Sequence, residues 1–197
     1  RDRVQADVQA AYQAALEVLR GLGAELVEVR FETPGPNPRR GSAESALFHE
    51  QWLKERPEDY DPRIRAGFER GLEVSGLDMA AAMRWRERLT VEMRRIFQSV
   101  DVLATPTVPV TASRIGVDEV DMNGEPAPRV GHWVRFTQPF NASLLPASSQ
   151  PCGFDRNGMP IGLQLAAPWW QEATILRAAT AYEEATDWHQ RRAPVSY

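Results

Sequence analysis

Three histidines, one cysteine and a short serine run are the side chains of this 197-residue chain that could hold a metal or attack a carbonyl. His49 precedes Glu50, as in an HExxH zinc helix, but the place of the second histidine is taken by Leu53. His132 and His189 have no ligand at metal spacing, and one cysteine cannot build a thiolate site. No metal and no cofactor is therefore expected. Cys152 could pair with His132 or His189 as a thiolate and imidazole. It directly follows Pro151, between two strand-like runs, where a small buried apolar residue belongs. Ser148-Ser149 is no nucleophile elbow, since G-x-S-x-G is absent, and no glycine loop of the phosphate-cradling kind occurs. The residues alone supply no catalytic set.

The elements that would position these groups follow from periodicity. Residues 2–22 place Val4, Val8, Tyr12, Ala15, Leu19 and Leu22 at helical spacing, and Gly21 and Gly23 end the run. AELVEVRF, 24–31, alternates as a strand, and three prolines make 33–41 a loop. A helix is expected over 42–53 with Ser42 as its cap, followed by short helical pieces broken by Pro62. Asp78 should cap a helix over 79–99 whose inward side includes Met79, Met83, Leu89, Met93 and Ile96. VDVLATPTVPV predicts a short buried strand ending at Pro106. Residues 111–130 read as a polar loop with a turn at Asn123-Gly124, and 130–146 as a loop with a short helix. ASSQPCGF and PIGLQLAAP are two strands joined by a turn over 155–158. The last element is an amphipathic helix over 172–190, with Ile175, Leu176, Ala179, Tyr182 and Trp188 inward. The fold class is α/β: a mixed sheet, with strands near 24–31, 100–105, 147–152 and 160–167, covered by helices on both faces.

Composition narrows the partners. With 43% hydrophobic and 25% charged residues this is an ordinary globular chain. A net charge of −4 gives no basic surplus for nucleic acid or an anionic membrane, and no apolar run is long enough to span a bilayer. The single cysteine suits a reducing, cytoplasmic setting.

Several motifs together resemble the C-terminal part of the amidase signature family of serine hydrolases. They are DVLATPT at 101–107, TQPFN at 137–141 with Pro146, PCGFD at 151–155 and GMPIGLQL at 158–165, followed by the terminal helix. The LGAELVEV segment and the FHEQWL helix fit as well. The resemblance implies cleavage of a small-molecule amide through a Ser–Ser–Lys triad carried by an N-terminal half. That half, with its lysine segment and serine-rich glycine loop, has no counterpart here; Lys54, the only lysine, sits in the FHEQWL helix and does not match. Residues 1–197 are thus expected to be the C-terminal half of one amidase domain, with the missing N-terminal half as partner and no catalytic residue of their own. The lack of an initiator methionine and the opening inside a helical pattern agree with this. A homodimer is an open alternative.

What the resemblance assigns to this half is the substrate pocket. Thr105, Thr107, Thr137 and Asn141 are its candidate polar edge, and Phe48, His49, Trp133 and Phe136 its candidate apolar lining. Two departures bear on specificity. Where the family has Asn-Leu-Thr-Gly-Leu-Pro, this chain has Asn141-Ala142-Ser143-Leu144-Leu145-Pro146, so a positive φ at 144 would be costly. Where the family's glutamyl-tRNA amidotransferase members carry an aspartate, this chain has Val134, which argues against glutamine as substrate. Three alternatives stay open: a non-catalytic binding or assembly module on the same sheet, an amidotransferase or allophanate hydrolase type of member, and a cysteine hydrolase using Cys152.

Overall fold

A computed structural model describes residues 4–31, 40–128 and 133–192. Its backbone packing forms two compact units, Arg1–Phe31 with Met93–Tyr197, and Glu32–Glu92.

The first unit is built on a three-stranded antiparallel sheet. Helix α1 (Ala6–Gly21) precedes it, and strands β1 (Leu103–Pro106), β4 (Ala147–Phe154) and β5 (Pro160–Ala166) pair in the order β1-β5-β4. Between β1 and β4 lie a hairpin, β2 (Glu119–Asp121) with β3 (Pro126–Pro128), and a short helix, α5 (Gln138–Ser143). Helix α6 (Glu172–Glu184) follows β5.

Strand alternation splits the sheet into two unlike faces. Ile161, Leu163 and Leu165 of β5 point to one of them and are buried with Cys152 against Val8 and Ala15 of α1 and Ile175, Ala179 and Tyr182 of α6. Each fully buried branched side chain there contributes about 2 kcal/mol of transfer free energy. Cys152 follows Ser148 and Gln150 on the core-facing side of β4, and a bulge between Pro151 and Gly153 then inserts one residue, so that Gly153 falls opposite Ile161. Gly153 admits no side chain: an added Cβ would lie 2.9 Å from the Cβ of Ala11, so α1 rests directly on the strand. The turn between β4 and β5 is organised by the Asp155 carboxylate, which accepts from the amides of Asn157 and Met159 at 2.8 and 2.9 Å and from the Thr111 hydroxyl at 2.7 Å.

The second unit holds α2 (Arg40–Glu55), α3 (Pro62–Leu72) and most of α4 (Gly76–Ile96). Pro62 does not interrupt a helix but starts one, with the Asp61 carboxylate accepting from the amide of Arg63 at 2.8 Å.

Several expectations change. Residues 24–31 pair with no described strand; Leu26, Val29 and Phe31 are their half-buried positions, spaced three and then two apart. Alternation marks a segment that fits a sheet, but it does not supply the neighbouring edge. Residues 111–130 include a hairpin rather than only a loop, folded over Val120, Met122 and Ala127 with Val110. Its turn is at Asn123-Gly124, with φ of 60° and 93°. Asn123 then reaches α1, accepting from the amide of Ala6 at 2.8 Å and donating to the carbonyl of Val4 at 2.9 Å. Helix α4 begins three residues early, because Ser75 and Asp78 form a reciprocal capping box: the amide of Asp78 donates to the Ser75 hydroxyl at 3.1 Å, and the amide of Ser75 to the Asp78 carboxylate at 3.1 Å. Its buried positions are Ala82, Trp85, Leu89, Met93 and Ile96, while Met83 is exposed. Leu176 is exposed as well, and Trp188 lies beyond α6 in a 3-10 turn. The Ser42 side chain lies outside what the structure describes.

Candidate functional site

The sheet face opposite the core is where the candidate polar residues gather. β-pairing sets Thr105 against Gln164, and Gln164 against Ser149, across all three strands. The buried Gln164 side-chain amide donates to the Thr105 hydroxyl at 2.9 Å and to the carbonyl of Phe136 at 3.1 Å. Thr107 continues the ladder past the end of β1, its amide donating to the carbonyl of Gly162 at 2.8 Å. The Thr107 and Ser149 hydroxyls share a hydrogen bond at 2.6 Å directly above Gly162. A Cβ at 162 would stand 2.6 Å from one oxygen and 2.7 Å from the other. Glycine is required here for space: only a residue without a side chain lets the two hydroxyls meet.

Next to this face the chain runs through Trp133, Phe136 and Thr137 into α5. Thr137 stands at the N-cap of α5 without capping it; its hydroxyl donates to the carbonyl of Val134 at 3.3 Å. The Arg135 guanidinium lies over the Phe136 ring, 5.2 Å from its centroid. Asn141 is exposed on α5, its side chain without a hydrogen bond to a described residue. It lines an open cavity of about 440 Å³. The remaining walls are Phe140, Leu144, Leu145 and Pro146 on one side, and Trp169, Trp170 and Glu172 on the other. Trp169 is fixed: its indole N–H donates to the carbonyl of Ser143 at 2.8 Å, and the Arg94 guanidinium sits 5.5 Å from its ring centroid.

Helix α5 closes at Leu144 with φ 58° and ψ 36°, a left-handed conformation that costs a leucine about 1–2 kcal/mol. The positive φ anticipated at this position is therefore present without the glycine that would relieve it.

Phe48 and His49 belong to the second unit. The His49 ring stacks on Phe68 with centroids 4.5 Å apart, packs edge-on to Phe48 and Tyr60, and its Nδ1 lies 2.9 Å from the Tyr60 hydroxyl. Phe48 is mostly exposed. Lys54 is exposed and paired with Glu50 one turn earlier at 2.5 Å.

Cys152 is only 2% exposed, and burial pushes its thiol up to about 11. It is a core thiol rather than a thiolate, so the cysteine-hydrolase alternative has no support in its surroundings. His132 lies outside the described residues. Among the described residues no cluster of histidine, cysteine and carboxylate side chains could hold a metal, and no helix is long and apolar enough to cross a membrane.

Of the eight expected site residues, the sheet face brings Thr105, Thr107 and Phe136 together, through Gln164 and Ser149. Sequence reading missed Gln164, Ser149, Leu144 and the Trp169–Trp170 pair. The signal for Gln164 was available: one polar residue inside the apolar strand run PIGLQLA, two positions after the glycine. Trp170 offered none, because a tryptophan following Pro168 gives no hint of a positive φ.

Residues 1–176 match the sequence profile of the Amidase family. An amidase of Pseudomonas putida is 37% identical over 198 residues, covering 96% of this chain and 42% of the relative. A glutamyl-tRNA(Gln) amidotransferase component of Thermosynechococcus vestitus is 34% identical, over 96% of this chain and 44% of the relative. A crystal structure of an amidase superposes with a TM-score of 0.84 at 30% identity, over 93% of this chain and 42% of the other. The chain thus spans somewhat over two fifths of the length of the relatives it matches.

Proposed function

The chain belongs to the amidase family, and we propose that the protein it forms part of hydrolyses a carboxamide to a carboxylate and ammonia or an amine through a serine acyl-enzyme. In this reading the acyl carbon–nitrogen bond breaks as a serine outside this chain attacks, the leaving nitrogen takes a proton, and water then cleaves the ester. The observation that carries the reading for this chain is the polar sheet face: Thr105, Gln164, Thr107 and Ser149 form a bonded surface opposite the core, beside the chain that leads to Thr137 and Asn141. A hydrolytic site needs such fixed walls, because positioning the amide against its nucleophile supplies a large share of the rate. Asn141, with its amide unengaged at the cavity, is suited to bind the substrate's polar group, and Thr137, Trp133 and Phe136 are proposed as the rest of the pocket edge.

The residues of this chain act here by binding and shaping, with the Ser–Ser–Lys groups contributed by an N-terminal half. The reading also places the protein in the cytoplasm and leaves open a homodimer. Glutamine is the less suitable amide, because Val134 offers no charge to hold its α-amino group. The test is ammonia release from a panel of acetamide, hexanamide, benzamide and glutamine, by the whole protein and by residues 1–197 alone. The whole protein should turn over the simple amides, and residues 1–197 none of them. Hydrolysis by the isolated chain, or inactivity of the whole protein on every amide, would refute the proposal.

A further inference from the structure

Of the four residues of the polar sheet face, Gln164 alone is buried, at 4% exposed; Thr105 and Thr107 are half-buried and Ser149 is exposed. A buried carboxamide has two N–H donors and one carbonyl oxygen to satisfy. Both donors are engaged, by the Thr105 hydroxyl at 2.9 Å and the Phe136 carbonyl at 3.1 Å. The second partner fixes which end of the group is which, because a backbone carbonyl only accepts and so must face the nitrogen. Among the described residues nothing donates to the oxygen, Oε1. The fully enclosed unpaired side-chain atoms among these residues are Arg65 Nε and Ser113 Oγ, so Oε1 reaches the surface of the face.

The hydroxyl pair beside it has the opposite surplus. Thr107 and Ser149 bring two O–H protons and use one in the bond between them, so one proton has no acceptor among the described residues. Ser149 stands opposite Gln164 in the β4–β5 register, where the Cβ atoms of paired residues lie about 5 Å apart. A spare acceptor next to a spare donor is the complement of a carboxamide, which carries an N–H and a carbonyl oxygen.

We propose that Gln164 is a substrate-contacting residue whose Oε1 accepts the N–H of the amide that is cleaved, and so sets the preference for amides over esters of the same acid. The inference rests on the amidase reading and adds to it the group that recognises the bond. Gln164 itself makes and breaks no covalent bond. Its two N–H bonds hold the acceptor in place before substrate arrives, so little side-chain freedom is lost on binding. Water can satisfy Oε1 in the free protein. An amide N–H replaces that water and keeps the bond, whereas an ester oxygen has no proton and leaves a largely buried acceptor unpaired.

The test uses the whole protein with hexanamide and methyl hexanoate. Both acylate the serine to the same hexanoyl-enzyme, one releasing ammonia and the other methanol, so kcat/KM compares the steps in which nitrogen or oxygen leaves. Gln164→Met keeps length and bulk without an amide; Gln164→Glu keeps an oxygen acceptor but loses both N–H donors. The ratio of kcat/KM for hexanamide to that for methyl hexanoate should fall about tenfold in Gln164→Met. It should stay within threefold of the parent in Gln164→Glu, although both variants lose the tie to Phe136. A purely structural role, or a donor from the N-terminal half on Oε1, lowers both substrates equally in Gln164→Met and overturns the proposal. So does a ratio that falls as far in Gln164→Glu. A second readout needs neither turnover nor the methionine variant: the side-chain NH₂ resonances of Gln164, assigned by their loss in Gln164→Glu, are followed by NMR as each compound is titrated. A saturable shift with hexanamide and not with methyl hexanoate supports the contact even if no amide is cleaved, in which case the amidase reading falls and the contact stands. No shift, or an equal one from the ester, overturns the contact, and turnover of hexanamide would then leave the amidase reading intact.

Discussion

Replacing Gly162 by alanine tests how the polar sheet face is held together. The backbone at 162 is not left-handed, so the substitution carries no conformational penalty and would by itself gain about 0.4–1 kcal/mol from a stiffer unfolded chain. The space forbids it. The new Cβ would lie 2.6 Å from Thr107 Oγ1, 2.7 Å from Ser149 Oγ and 3.1 Å from Thr107 Cβ. Turning either hydroxyl away breaks its bond to the other, and the remaining 3.1 Å contact needs only a few tenths of an ångström of give, so the cost sits in the two oxygens: the strands must shift or the hydroxyl pair must break. Loss of the hydrogen bond costs about 1 kcal/mol, and overpacking about 1–3 kcal/mol. The net expectation is a destabilisation of about 2–3 kcal/mol, measured by urea unfolding of the whole protein. The decisive comparison is Gly162→Ala in a Thr107→Ala/Ser149→Ala background, where both oxygens are gone. There its cost should drop below about 1 kcal/mol, a coupling of the size expected for residues in direct contact. Equal costs in the two backgrounds would refute the steric account, as would a Gly162→Ala protein as stable as the parent.

Two further outcomes follow from the core and from a helix start. Burial raises the Cys152 thiol from 9.0 to about 11, so the folded protein holds that proton more tightly than the unfolded one; its contribution is complete below pH 9, falls away as pH rises towards 11, and amounts to about 3 kcal/mol at most. Melting temperature should therefore drop more steeply between pH 8 and 11 in the parent than in Cys152→Ala, and iodoacetamide at pH 8 should leave Cys152 unmodified until denaturant is added; parallel pH curves or rapid alkylation would contradict its placement. Ser75→Ala removes one half of the capping box of α4 and should cost about 1 kcal/mol, with Ser75→Asn close to the parent in the same unfolding assay.

Much of this was legible in the residues, for reasons that differ by element. The strands β4 and β5 announced themselves because a two-residue alternation and a turn sequence, Asp155 to Gly158, coincide in one short segment. Pro62 and Asp61 were legible only in part: proline was read as a break, although after a capping aspartate it begins a helix. The segment 24–31 shows the converse. Its alternation describes what each residue could do in a sheet, whereas pairing depends on an edge that local sequence does not encode. The β2–β3 hairpin was hidden because its strands are three residues long and β3 begins and ends with proline, and it is held by ties to Val4, Gln5 and Ala6 at the start of α1. At the candidate site, the motif around Thr105 and Thr107 was visible, but their partners Gln164 and Ser149 are neighbours only through register across β5. Leu144 does adopt the left-handed conformation for which the missing glycine was noted; Trp170 was not expected at all.

The two faces of the sheet account for the state of Ser149 and Cys152, the two nucleophilic side chains of β4 weighed as attacking groups. A serine becomes a nucleophile when a base shares its proton and neighbouring dipoles await the charge that develops. Ser149 instead shares its hydrogen bond with another hydroxyl, that of Thr107, so neither oxygen is made more basic than an ordinary alcohol. Cys152, the better intrinsic nucleophile, lies on the other face among Val8, Ile161 and Tyr182, where burial holds its proton in place. Both groups are spent on architecture, one joining strand edges above a glycine and the other filling a core. The polar face so bonded is tied through Gln164 to the carbonyl of Phe136, two residues before α5, the helix that brings Asn141 and Leu144 to the cavity. Under the proposed reading, a substrate held at that cavity would be positioned by these groups against a nucleophile carried outside this chain.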